Sequence, residues 1–71
     1  MAEDARIRVG RGIRRARERK GWTQTELARA VLASDAQVSR WENGRAVPRI
    51  ETLEQIAAIL DTTIDEFFRQ A

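Results

Sequence analysis

The chain contains no cysteine and no histidine, and a single proline, in 71 residues. Without cysteine there is no disulfide and no thiol nucleophile, and without either residue the usual zinc sites cannot be assembled. No apolar run approaches the ~20 residues that span a bilayer. The N-terminus is charged and lacks the apolar segment of a secretory signal, so a soluble, cytoplasmic protein is expected. Gly10-Arg11-Gly12 is not a nucleotide loop, because no strand precedes it and the rest of the fingerprint is missing. The carboxylates fit helix caps and surface positions rather than a catalytic constellation. We therefore expect no enzyme activity, no metal and no cofactor. No stretch reads as a strand, an internal repeat or a low-complexity linker, and no small-molecule effector domain is expected.

What is present is 42% hydrophobic and 34% charged, a balance that suits one small all-α domain with a modest core. The informative stretch runs from Trp22 to Gly44. Thr23 with Glu26, and Ser34 with Gln37, each have the Ser/Thr-x-x-Glu/Gln spacing of a capping box, so two short helices open there. Trp22 and Leu27 have the spacing of a hydrophobic staple on the first of them. The helix from Gln24 to Val31 gathers Leu27, Ala28 and Val31 on one side. In the next, from Asp35 to Glu42 or Asn43, Val38 and Trp41 are the large apolar residues and point inward. At about 100° per residue Ala36 and Arg40 lie nearly opposite Val38, flanked by Asp35, Gln37 and Ser39. Trp41 is assigned to the core rather than to base stacking, because it shares the inward side with Val38. Two short helices, a tight turn and an outward polar face describe a helix-turn-helix.

The run resembles the Cro/C1-type helix-turn-helix family, the phage-repressor-like transcriptional regulators. The matching residues are Thr23-Gln24, Glu26-Leu27-Ala28, Val38 and Glu42-Asn43-Gly44 followed by Pro48, with Arg17 and Gly21 upstream. The resemblance covers Val9 to Phe68. It implies a five-helix, lambda-repressor-like domain over residues 9–69 with the motif at 24–43. It also implies an ion pair between Arg17 and Glu42, tying the first helix to the end of the third. Family members usually carry Gly where this chain has Leu32, in the turn between the two motif helices. A non-Gly residue at positive φ is strained. Either this turn differs slightly, or Leu32 is tolerated with its side chain buried.

Residues 1–8, with Arg6 and Arg8, read as an N-terminal basic arm or a frayed terminus. The first helix is expected over Val9–Lys20, with Val9, Ile13 and Ala16 inward. Gly10 and Gly12 weaken its first turn, and Gly21 stops it. Asn43-Gly44 ends the third helix, with Gly44 left-handed. The loop Arg45–Arg49 is stiffened by Pro48. A fourth helix over Ile50–Leu60 turns Ile50, Leu53, Ile56, Ala57 and Leu60 to one face. Asp61 follows it where the family often has Gly, and tolerates that turn better than most residues. Thr63 with Glu66 caps a short fifth helix beginning at Ile64. Phe67 and Phe68 are adjacent and cannot share one narrow face. Ile64, Phe67 and Phe68 are accordingly candidates for a dimer interface. Charge is polarised: through Arg49 there are twelve Arg/Lys and six Asp/Glu, and after it one Arg and five Asp/Glu. The basic part carries the motif, which would orient the domain on a polyanion.

The implied partner is double-stranded DNA. Arg40 can pair with guanine O6 and N7, Gln37 with adenine N6 and N7, and Ala36 can touch a thymine methyl. Asp35 can accept from cytosine N4 or simply serve the helix N-terminus. By resemblance Gln24, Asn43, Gly44 and Arg45 meet the phosphate backbone. Thr23 and Arg49 are further candidates, and Ser34 can reach phosphate as well as cap. The free N–H groups opening the second helix also suit a phosphate. One domain buries limited surface, so a homodimer on a palindromic operator is expected, more often repressing than activating. The competing expectation is an antitoxin or protein-interaction module on the same fold.

Overall fold

The computed structural model describes residues 4–69. The chain folds into five helices: α1 (Ala5–Lys20), α2 (Gln24–Ala30), α3 (Asp35–Glu42), α4 (Ile50–Ile59) and α5 (Ile64–Phe68). Among the described residues there is no strand, and no helix is long and apolar enough to cross a membrane.

α1 starts four residues earlier than the apolar spacing predicts. Asp4 supplies the cap: its carboxylate accepts from the backbone N–H of Arg6 at 2.8 Å and also pairs with the Arg6 guanidinium. That pairing holds the Asp4 carboxyl below its usual range. The expected basic arm is thereby corrected, since Arg6 and Arg8 belong to the first turns of a helix; residues 1–3 lie outside the described residues. α1 ends at Gly21, left-handed at φ 78°, with the Trp22 N–H returning to the Arg17 carbonyl at 3.1 Å. Beyond this turn Lys20 reaches the Asp61 carboxylate at 2.8 Å and lies over the Trp22 ring. It fastens the end of α1 to the turn after α4 and keeps the Asp61 carboxyl below its ordinary value.

The two boxes in the motif form in both directions. The Thr23 and Ser34 hydroxyls accept from Glu26 N and Gln37 N, and the Glu26 and Gln37 side chains accept in return from the two cap N–H groups. At α5 the forward half of the Thr63 box is present, at 3.4 Å. α2 ends at Ala30, with Val31 as its C-cap, and α4 at Ile59, with Leu60 as its C-cap.

Every helix contributes to one core: Val9, Ile13 and Ala16 from α1, Leu27 and Ala28 from α2, Val38 and Trp41 from α3, Leu53, Ile56 and Ala57 from α4, and Phe67 from α5, with Leu60 beside them. Trp22, Val31 and Ile64 pack against it part-buried. One predicted inward residue is corrected, and the two adjacent phenylalanines divide as expected. Ile50 is 58% exposed, because it opens α4 directly after its Arg49 cap, where the helix end stands clear of the core. Phe67 is fully buried while Phe68 stays exposed, as two neighbours on a helix must be divided.

Gly10 and Gly12 are not weak points of a frayed first turn. Both are buried inside α1, at its crossings with α3 and α5. A Cβ on Gly10 would collide with the Trp41 carbonyl oxygen and lie 3.0 Å from that of Glu42. A Cβ on Gly12 would lie 2.5 Å from the Cα of Phe67 and 2.7 Å from its carbonyl oxygen. The glycines set how closely α1 approaches its neighbours.

Leu32 resolves the question raised by its position. It takes φ 57°, the conformation expected of the glycine it replaces, and its side chain is 94% exposed. The turn is therefore retained and burial does not compensate it. A left-handed leucine costs roughly 1–2 kcal/mol. The strained turn is held by the Ala33 N–H, which donates to the Ala28 carbonyl at 2.8 Å. Asp61, the other non-glycine residue at positive φ among the described residues, also has φ 57°.

Candidate nucleic-acid interface

α3 presents two different faces because its buried side is fully occupied. Val38 is completely enclosed, and Trp41 and Glu42 are buried. The opposite side carries Asp35, Ala36, Gln37 and Arg40, all exposed, with Ser39 half-buried at the edge. Ala36, Ser39, Arg40, Asn43 and Arg45 line one shallow groove along this side.

A polar clamp fixes the C-terminal end of α3 against α1. The Arg17 Nε donates to Glu42 Oε2 at 2.7 Å and its Nη2 to Oε1 at 3.0 Å, so the pair is bidentate. Its Nη1 donates to the Trp22 carbonyl at 2.7 Å. The Gln24 amide adds a third bond to the same carboxylate, at 3.0 Å. The Glu42 carboxylate raises the Arg17 guanidinium above its already high ordinary value, against the opposing effect of burial. Two charges are thus removed from water with their hydrogen-bonding groups engaged, which is the condition under which a buried ion pair is tolerated. Gln24, expected at the phosphate backbone, has one amide N–H committed to this clamp.

A second tie joins α2 to the start of α3: the Thr25 hydroxyl donates to the Asp35 Oδ2 at 2.6 Å. Sequence reasoning missed this contact. The two residues lie ten positions apart across a turn, and no local pattern marks such a pair. It commits one Asp35 oxygen, so the residue serves the helix pair as well as its outward face. Gln37 is engaged too, since its carbonyl oxygen accepts from the Ser34 N–H at 3.0 Å in the capping box. A bidentate contact with adenine needs that same oxygen and requires Gln37 to share it or leave the box. Arg40 has no hydrogen bond or ion pair among the described residues, and Ala36 needs none. These two are the uncommitted side chains of the outward face.

The candidate phosphate contacts surround this face. Thr23 and Ser34 are exposed at the caps of α2 and α3. Each hydroxyl accepts a backbone N–H and keeps its own proton to donate. Asn43 instead turns back, its Nδ2 donating to the Ser39 carbonyl at 2.8 Å and to Ser39 Oγ at 3.2 Å. Gly44 follows at φ 73°, with Ile7 of α1 so close that a Cβ would lie 2.9 Å from its Cγ1. Arg45 and Arg49 are exposed on the α3–α4 loop, whose Pro48 is buried. Of the dimer candidates, Phe67 is removed by its complete burial, Ile64 is half-buried and Phe68 is 42% exposed.

A helix-turn-helix family profile matches residues 13–67. The chain is 35% identical over 54 residues to the HTH-type transcriptional activator BcrR of Enterococcus faecalis, a match spanning 76% of this chain and 26% of that protein. It is 33% identical over 60 residues to the competence pilus inhibition repressor of Acinetobacter baylyi, spanning 84% of this chain and 54% of the repressor. The chain therefore corresponds to about a quarter of one relative and about half of the other. Among solved structures, the clp gene regulator ClgR from Corynebacterium glutamicum superposes with a TM-score of 0.86 at 29% identity, covering 92% of this chain and 69% of that one. The capped helix pair, the outward face of α3 and these likenesses agree: the chain belongs to the Cro/C1-type helix-turn-helix family of DNA-binding transcription regulators.

Proposed function

We propose that this chain binds a specific sequence in double-stranded DNA by placing α3 in the major groove. The observation that carries this reading is the division of α3: Val38, Trp41 and Glu42 are buried, while Asp35, Ala36, Gln37 and Arg40 are exposed together. A major groove admits one α-helix and offers a distinct donor and acceptor pattern at every base pair. Arg40 and Ala36 carry the readout, with Asp35 and Gln37 contributing where they can share their present partners. Thr23, Gln24, Ser34, Gly44, Arg45 and Arg49 fix the register on phosphate. Asn43 acts mainly by closing α3.

A homodimer on a palindrome then supplies the affinity that one small domain lacks, with its two recognition helices about 34 Å apart. Occupying such an operator represses transcription. The competence pilus relative is named a repressor and BcrR an activator, so the direction of regulation is part of the proposal. The protein acts in the cytoplasm without catalysis. Selection of bound sites from random DNA at stated salt tests the reading, because it returns half-site, spacing and dimer geometry together. Recovery of a palindrome with half-sites one helical turn apart is expected. Failure to enrich any duplex at low ionic strength rejects it.

A further inference from the structure

Leu32 is held in a strained backbone conformation and gains no packing inside the domain in return. It occupies a left-handed conformation that a glycine would adopt freely, and it leaves a large apolar side chain 94% in water. Nothing among the described residues covers it, and its hydroxyl-free side chain caps nothing. It stands two residues before Ser34, the cap of α3, and therefore beside the N-terminal end of the helix. In helix-turn-helix proteins that end approaches the base edges. Leu32 also shares one groove with Gln37 of the outward face and with Arg49, a phosphate candidate on the α3–α4 loop. Val47 and Pro48 give that groove further apolar wall.

We propose that Leu32 is a specificity-determining residue that packs against the C5 methyl of a thymine in the half-site. This deepens the DNA-binding reading and rests on it. The chemistry is that of apolar readout: the methyl group marks thymine in the major groove, and an aliphatic side chain is the group that recognises it. Gln37 and Arg49 line the same groove as Leu32, so the apolar contact would share it with a base-facing amide and a phosphate-facing cation. Glycine at this position would remove the leucine side chain from the groove.

The experiment compares the wild type with Leu32→Gly on the selected operator, replacing one thymine at a time with deoxyuracil. Leu32→Gly relieves the left-handed strain and removes no packed side chain, so it should melt at or above the wild-type temperature. Lost binding then cannot be lost folding. The wild type should prefer thymine over uracil by about fourfold at the position Leu32 meets in each half-site, the worth of one buried methyl. Leu32→Gly should abolish the preference there and keep it at any thymine read by Ala36. An unchanged thymine-to-uracil profile in Leu32→Gly overturns the proposal while leaving DNA binding intact. A change in sedimentation with an unchanged profile also overturns it, assigning Leu32 to a protein contact. Absence of binding by both proteins rejects the underlying reading instead.

Discussion

Arg40 and Arg45 line the same groove but should fail in different ways when removed. Arg40 is unpaired among the described residues and projects from α3, so its guanidinium is available for a bidentate base contact. Arg40→Ala should cost about 1–3 kcal/mol and relax preference at one operator position. Equal weakening on every sequence would instead place Arg40 on phosphate. Arg45 lies on the following loop. Arg45→Ala should weaken binding on all duplexes and lower the slope of log K against log salt by about 1. A salt titration that leaves the slope unchanged rejects that role. The clamp behind them sets the third residue-scale test. Glu42→Gln leaves the buried Arg17 guanidinium without a counter-charge and should destabilise the fold by about 3–5 kcal/mol. Adding Arg17→Met should recover part of that loss, because the two side chains act as one unit. Urea unfolding that gave additive losses would refute the coupling.

Among the elements, α1 does more than its composition suggests. An exposed Gly in a helix interior normally gains about 1 kcal/mol of stability on replacement by Ala. The crossing with α5 reverses the sign at Gly12. There the added Cβ would meet the Phe67 backbone at 2.5 Å, and backbone cannot swing aside as a side chain can. Gly12→Ala should therefore lower stability by roughly 1–3 kcal/mol, as overpacking does. A higher denaturation midpoint would show that α5 yields freely. The packing around Gly12 also marks where the sequence was legible and where it was not. The caps of α2 and α3 were readable because each is a contact between residues three apart. The Arg17–Glu42 pair was readable through the family resemblance. The role of Gly10 and Gly12 was hidden, because a crossing between helices depends on residues some thirty to fifty-five positions away. The start of α1 was missed because Asp4 caps without an acid or amide three residues on. The Thr25–Asp35 tie likewise required coordinates, since a pattern assigns each side chain its possible partners and geometry selects among them.

For the whole molecule, charge and apolar exposure separate in a way that bears on assembly. The basic part of the chain carries α1 to α3 and the loop after it, while the acidic part carries α4 and α5. Like charges on a polyanion would push the second part away from the duplex, which leaves α5 free to meet another copy. Phe68 is the large exposed apolar residue of α5, beside half-buried Ile64, and Phe67 holds α5 down from beneath. Phe68→Glu should thus separate a dimer without unfolding its domains, since little packing is lost. Sedimentation should shift toward the monomer at unchanged melting temperature. Affinity for a two-half-site operator should fall by roughly 10²–10⁴, the range by which avidity exceeds single-site binding. Affinity for an isolated half-site should hold. Unaltered sedimentation would remove α5 from the interface. A loss on the isolated half-site equal to that on the full operator would show that Phe68 supports the DNA-facing surface itself rather than the pairing of two copies.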